Sequence, residues 1–193
     1  MKQLEFFFDY VSPFSYLANS QVQAIAARTG AEILYRPFLL GGVMQATGNQ
    51  PPATLPARGR YMPKDIGRWV RRYGIPFTFN PSFPMRTLEA MRAALAAQQA
   101  GVFPAYHAAL FKAAWAEPAN LADPAVLRDV VRKAGLDAEA LLAAAASEPV
   151  KEKLKANTAE AVERGAFGAP TFFVAGEIFF GNDRLDFVEE ALR

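Results

Sequence analysis

Two serines three residues apart, Ser12 and Ser15, stand where the apolar stretch Phe6-Phe7-Phe8 gives way to a helical pattern opening at Pro13. A strand that turns into a helix there sets backbone N–H groups and the positive end of the helix dipole around Ser12, a setting that favours a bound anion. A serine hydroxyl at that point can donate to a thiolate and lower the pKa of the parent thiol. The same serines also serve a plain structural use, because Ser is a favoured N-cap residue. Ser12 as an activated nucleophile would need an adjacent base. The only histidine, His107, is far away in a helical pattern and reads as a half-buried structural residue. The chain has no cysteine, so disulfides, Cys-ligated zinc and self-contained thiol chemistry are excluded, and any sulfur must come from outside.

Three further stretches carry polar or backbone groups suited to binding. Gly168-Ala169-Pro170-Thr171 opens a strand. A cis bond before Pro170 would leave the Ala169 backbone free to pair with an extended, peptide-like ligand, although X-Pro bonds are mostly trans and the dipeptide alone gives no ground for it. Gly181-Asn182-Asp183-Arg184 precedes the last helical pattern. It reads either as a helix cap or as a site where helix N–H groups hold a carboxylate and Asp183 holds an ammonium. Gly48-Asn49-Gln50-Pro51-Pro52 has ordinary turn chemistry. Arg58, Arg60, Arg68, Arg71 and Arg72 fall within fifteen residues, as a solvated helix face or an anion-receiving patch. Trp69, Phe83, Phe103 and Trp115 read first as core and second as an aromatic site lining.

The elements that must position these residues follow from pattern. Leu4 to Asp9 is short, aromatic-rich and bounded by a turn, as a buried strand is. Pro13 to Thr29 is helical and ends at Gly30; Glu32 to Phe38 is strand-like and limited by Pro37. Strand, helix, strand with a short return predicts a parallel βαβ unit. Leu40 to Gly59, rich in Gly and Pro, reads as a long ordered loop. From Pro63 to about Arg164 the chain is mostly helical, with starts at Pro63, Met85-Arg86, Pro104, Asp123-Pro124 and Asp137 and stops at Gly74, Gly101, Gly135 and Gly165. Thr171 to Val174 and Glu177 to Phe180 flank the hairpin signal Ala175-Gly176, and Asn182 or Asp183 is expected to cap a last helix, Arg184 to Leu192. The expected architecture is an α/β domain from residues 1–40 and 165–193, interrupted by 41–164, a loop followed by an all-helical insertion.

Composition narrows the class. Of 193 residues 52% are hydrophobic and 21% charged, ordinary for a globular protein. A net charge of +2 is too weak to argue for nucleic acid. No apolar run approaches the ~18 residues of a membrane span. Met1-Lys2-Gln3-Leu4-Glu5 lacks the features of a signal peptide, so the expected location is cytoplasmic.

Taken in order, Asp9-x-x-Ser12-Pro13-x-Ser15-Tyr16-Leu17, Leu40-Gly41-Gly42-Val43-Met44, Gly48-Asn49-Gln50-Pro51-Pro52, Arg60-Tyr61-Met62, Tyr73-Gly74-Ile75-Pro76, Gly165-Ala166-Phe167-Gly168-Ala169-Pro170-Thr171 and Phe180-Gly181-Asn182-Asp183-Arg184 span nearly the whole chain. This set resembles the 2-hydroxychromene-2-carboxylate isomerases and the related kappa-class glutathione transferases. The resemblance implies a thioredoxin fold with a helical insertion, like that of the DsbA-type oxidoreductases, with Ser12 and Ser15 at the Cys-x-x-Cys positions. It implies glutathione as cofactor, its thiol beside Ser12 and its cysteinyl backbone paired with Ala169 next to a cis Pro170. The γ-glutamyl end would lie at Asn182 and Asp183, Asn49 would reach the thiol or glycyl side, and Arg58 would stand in for a lysine. The implied reaction interconverts 2-hydroxychromene-2-carboxylate and trans-o-hydroxybenzylidenepyruvate, in aromatic catabolism. The glutathione thiolate adds reversibly, the former double bond rotates as a single bond, and glutathione leaves unconsumed. The implied partners are a small aromatic carboxylate and a second copy of the chain, as a homodimer. One departure stands out: the isomerases are expected to carry a lysine at Met44 and a tyrosine near Phe83. That leaves open a kappa-like transferase acting on another electrophile, and a redox-dead thioredoxin-fold module that binds peptides.

Overall fold

The computed structural model describes residues 2–193. Its centre is strand β1 (Gln3–Phe8), and the run of three phenylalanines reflects burial on both faces. Leu4, Phe6 and Phe8 enter the main core, while Phe7 points the other way into a smaller cluster with Phe38, Val43, Ala161, Ala166 and Phe173. Helix α1 (Pro13–Thr29) starts with Pro13 in the first helical position and ends at Gly30, whose φ of 68° only glycine adopts without strain. Strand β2 (Glu32–Pro37) returns parallel to β1, with Phe6 opposite Tyr35. The predicted βαβ unit is therefore present.

The expected long loop is largely helical. Helix α2 (Leu40–Thr47), a short 3-10 turn (Pro52–Thr54) and helix α3 (Pro56–Tyr73) occupy it. Gly41 and Gly42 argue against a helix by local propensity, but tertiary contacts outweigh it. Val43 is buried in the smaller cluster, and a side chain at residue 42 would press on Thr158 at 3.2 Å. Pro63, expected to start a helix, lies inside α3.

Helices α4 (Leu88–Gln99), α5 (Phe103–Trp115), α6 (Pro124–Lys133), α7 (Ala138–Ala145) and α8 (Glu148–Glu163) follow. Asp123 and Asp137 cap α6 and α7 as predicted, accepting from Ala125 N at 2.8 Å and Ala140 N at 3.0 Å. The small side chains of α4 let it approach α5, α7 and α8 closely, and Ala90, Ala93, Ala94 and Ala97 are fully buried. Phe103 and Trp115 are core residues, and the Trp115 indole N–H donates to the Tyr10 carbonyl at 2.9 Å.

Strands β3 (Thr171–Val174) and β4 (Glu177–Phe180) form the predicted hairpin. Ala175 and Gly176 both have positive φ, 50° and 89°, as a type I′ turn requires. β3 runs antiparallel to β1, giving the order β2-β1-β3-β4. A 3-10 turn (Asn182–Arg184) leads into helix α9 (Leu185–Ala191). Neither Asn182 nor Asp183 caps α9 through its side chain, contrary to expectation, because the 3-10 turn places them a turn too early. Among the described residues no helix is long and apolar enough to cross a membrane.

Candidate active site

At the C-terminal end of β1 the chain turns through Asp9-Tyr10-Val11 into α1, and a cavity of about 730 Å3 opens there. Its walls come from the turn itself, from α2 and the segment after it, from α3, from residues 83–88, and from the segments 167–169 and 180–183. Ser12, Asn49, Arg58, Ala169, Asn182 and Asp183 all line it. Pro170 does not. Its bond to Ala169 is cis, and its carbonyl accepts the Gly181 N–H at 3.0 Å, which ties the two C-terminal segments together.

Ser12 is 2% exposed and takes the structural part read for it, that of N-cap to α1. Its Oγ accepts the Ser15 N–H at 3.1 Å, an N-cap bond, and donates its only proton to the Ala169 carbonyl at 3.1 Å. Pro13 has no N–H, and the Ser15 and Tyr16 amides are both taken by Ser12. The Phe14 amide is thus the first-turn donor with no partner among the described residues, and Phe14 lines the cavity. Ser15 is fully buried with an unpartnered hydroxyl and does not line the cavity.

Asn49 follows Gly48, which ends α2 with φ 69°. Its Nδ2 donates to the Phe167 carbonyl at 2.7 Å and its Oδ1 accepts the Gln50 amide at 2.9 Å, so it joins two walls and keeps one N–H to spare. Arg58 is exposed in the first turn of α3. Asn182, a residue of the cavity wall, is 3% exposed, and its buried Nδ2 has no hydrogen-bond partner among the described residues. Asp183 is exposed and pairs with Arg184 at 2.8 Å. Phe180 lies over Gly168, leaving no room for a Cβ there, and packs against Phe167 at the rim with ring centres 4.4 Å apart and the rings tilted by 46°.

The sequence reading gave Asp9 no role. It is 1% exposed and lines the cavity. Its Oδ1 accepts the Thr87 hydroxyl at 2.6 Å and the Val11 N–H at 3.1 Å, and its Oδ2 accepts the Leu40 N–H at 2.9 Å. Burial raises its pKa, opposed by these hydrogen bonds. The only local signal was a charged residue ending an apolar strand, and its partners lie 31 and 78 residues away. Arg86, exposed beside Thr87, is a second cavity cation that the sequence reading passed over. The rest of the wall is mostly apolar, with Met44, Met62, Phe83 and Met85 prominent, and it also includes Gln50 and Asp65. His107 is remote from it, buried against Phe8, Tyr35 and Phe111, and hydrogen-bonded to Tyr10 and Asn19. Desolvation lowers its pKa to about 3, so it is a neutral core residue.

This arrangement offers hydrogen-bond donors for an anion at a helix N-terminus, a backbone carbonyl for an extended ligand, and an apolar wall fringed by two arginines. The chain matches the DSBA-like thioredoxin domain over residues 3–193. It is 36% identical to the 2-hydroxychromene-2-carboxylate isomerase of Sphingobium xenophagum, over 99% of this chain and 98% of that one. It is 31% identical to glutathione S-transferase kappa 1 of Caenorhabditis elegans, over 100% of this chain and 92% of that one. A solved 2-hydroxychromene-2-carboxylate isomerase superposes with a TM-score of 0.88 at 31% identity, covering 98% of this chain and 94% of its own. The chain belongs to the DSBA-like thioredoxin family and, within it, to the group of enzymes that holds the 2-hydroxychromene-2-carboxylate isomerases and the kappa-class glutathione transferases.

Proposed function

We propose that this protein is a glutathione-dependent isomerase that interconverts 2-hydroxychromene-2-carboxylate and trans-o-hydroxybenzylidenepyruvate. The observation that carries the cofactor reading is the unpartnered Nδ2 of Asn182, buried in the wall of the same cavity that holds Ser12 and Ala169. A buried amide N–H without a partner costs about 1–3 kcal/mol unless a ligand satisfies it. The residues around it fit glutathione end by end. Asn182 and Asp183 would hold the γ-glutamyl carboxylate and ammonium, Ala169 the cysteinyl backbone beside Pro170, and Arg58 and Asn49 the glycyl side. When bound, glutathione supplies the nucleophilic sulfur on which rotation about the substrate's double bond depends.

With glutathione bound, Ser12 would be the hydroxyl that donates to its thiolate, and the Ala169 carbonyl, which accepts from Ser12 in the structure, would be the acceptor for its amide N–H. The Phe14 amide and the dipole of α1 add to the stabilisation of negative charge there. Arg86 and Arg58 are the cations available to the substrate carboxylate, and Phe14, Phe83 and Met85 offer apolar surface to its ring.

A second reading, a kappa-like transferase, is favoured by Met44 and Phe83. Both line the cavity, where the resemblance expects a lysine and a tyrosine in an isomerase. A cytoplasmic homodimer is proposed from the family likeness, and sedimentation at twice the chain mass tests the dimer.

The test is ring-opening activity with and without reduced glutathione, alongside titration of glutathione alone. Activity only with glutathione supports the isomerase; equal turnover without it removes the cofactor role. Stable conjugates of chlorodinitrobenzene without isomerisation favour the transferase. Peptide binding without glutathione binding favours a redox-dead binding module.

A further inference from the structure

Three walls of the cavity come from parts of the chain that are distant in sequence: the turn before α1, the start of α2, and residues 83–88 before α4. One side chain bonds to all three. Asp9 accepts the Val11 N–H within the turn at 3.1 Å, the Leu40 N–H opening α2 at 2.9 Å, and the hydroxyl of Thr87 at 2.6 Å. Its own carbonyl accepts the Ser12 N–H at 3.0 Å. Each of these contacts ends near a residue that lines the cavity: Ser12 in the turn, Gly41 and Met44 in α2, Arg86 before Thr87. α2 has no side-chain cap of its own, since Leu39 precedes it, so the Asp9 carboxylate takes the place of a cap.

We infer that Asp9 is a positioning residue, which fixes the distance between the sulfur-facing turn at Ser12 and the substrate-facing walls at Met44 and Arg86. The geometry assigns it this part rather than proton transfer. Its two oxygens are already engaged by three donors, and it is 1% exposed. Of the roughly four lone-pair sites of a carboxylate only one, on Oδ2, is left, and at this burial it has little access to a substrate proton. A displacement of these walls by about an ångström is enough to slow turnover on the order of 100-fold. The kinetic part of the inference rests on the isomerase reading above, whereas the structural part does not.

The experiment compares Asp9→Asn, Thr87→Val and Thr87→Ser with the unaltered chain. Asparagine keeps the shape and one acceptor for Val11 and Thr87, but turns an NH2 group toward the Leu40 N–H. Valine removes the Thr87 hydroxyl, and serine retains it. Expected for Asp9→Asn and Thr87→Val is turnover lower by about 10- to 100-fold, with glutathione affinity little changed and the shape of the pH–rate profile retained. Thr87→Ser is expected to restore most of the rate, which a general loss of packing would not do. Hydrogen exchange, measured without ligand, is expected to rise across 40–47 in Asp9→Asn and to stay unchanged across 138–145.

Loss of one limb of the pH–rate profile in Asp9→Asn would make Asp9 an acid or base and overturn the inference. So would Thr87→Ser as slow as Thr87→Val, or unchanged exchange across 40–47. If the unaltered chain neither binds glutathione nor isomerises the chromene, the isomerase reading fails. The exchange experiment then decides the inference alone.

Discussion

The Ser12 hydroxyl donates to the carbonyl of Ala169, 3.1 Å away and 157 residues along the chain, and the same oxygen caps α1 by accepting the Ser15 N–H. Ser12→Ala removes both bonds. Loss of the cap and an unsatisfied carbonyl together are expected to cost about 2 kcal/mol in urea unfolding. On the isomerase reading the variant also raises the pKa of bound glutathione, so the acid limb of its pH–rate profile moves to higher pH and turnover near neutrality falls. An unmoved profile would refute the role assigned to Ser12.

Among the described residues Asp183 pairs only with its exposed neighbour Arg184. Surface pairs of this kind contribute little, so Asp183→Ala is expected to change stability by less than about 0.5 kcal/mol. Isothermal titration should nevertheless find glutathione binding weakened by about tenfold, the loss of one charge-assisted contact. Equal affinity in the two proteins would remove Asp183 from the site.

Met44 and Phe83 face the same cavity. Met44→Lys adds a cation to that wall and is expected to lower KM for the chromene carboxylate severalfold. Conjugation of the neutral electrophile chlorodinitrobenzene should gain nothing. If both substrates gain alike, Met44 does not discriminate by charge.

His107 sets an acid limit to the fold. Its folded pKa is depressed to about 3 by desolvation, against an ordinary value of 6.5. Its contribution is therefore present in full above pH 6.5 and is lost as pH falls toward 3, at about 1.4 kcal/mol for each pH unit crossed. Asp9 acts with the opposite sign. Burial raises its pKa above 3.8, so its contribution is greatest below that value and declines as pH rises through the folded pKa. Urea titrations of the unaltered chain and of His107→Gln, between pH 4 and 7, isolate the histidine. The variant should lose less stability on acidification, and parallel curves would contradict the assignment.

Much of this molecule is written locally. The phenylalanine run, Ser12-Pro13 and Gly30 delimit β1 and α1 because each acts on its own neighbours, and Ala175-Gly176 does the same for the hairpin. α2 is different: its glycines speak against it, and its support comes from the Thr158 hydroxyl, which accepts the Leu39 N–H, and from the Asp9 carboxylate at Leu40 N. Asp9 was invisible for the same reason, since no local pattern marks an acceptor whose donors are at residues 40 and 87. The proposed ligand residues were readable as an ordered set of motifs, while the partners of Asn49 and the orphaned amide of Asn182 required coordinates. His107 was rightly set apart from the chemistry, but its burial is deeper than a helical pattern could tell.

The sheet order has a consequence for biosynthesis. Glu5, Phe6 and Phe7 pair with Phe173, Phe172 and Thr171, so the first strand completes its sheet only after residue 173 has been made. The cavity draws Ser12 from one end of the chain and Ala169, Asn182 and Asp183 from the other. A nascent polypeptide halted before residue 168 carries the α1 N-terminus but has no opposite wall. Any ligand held between these walls stabilises only chains that carry both, and in a cell it would shift the balance between refolding and degradation toward them.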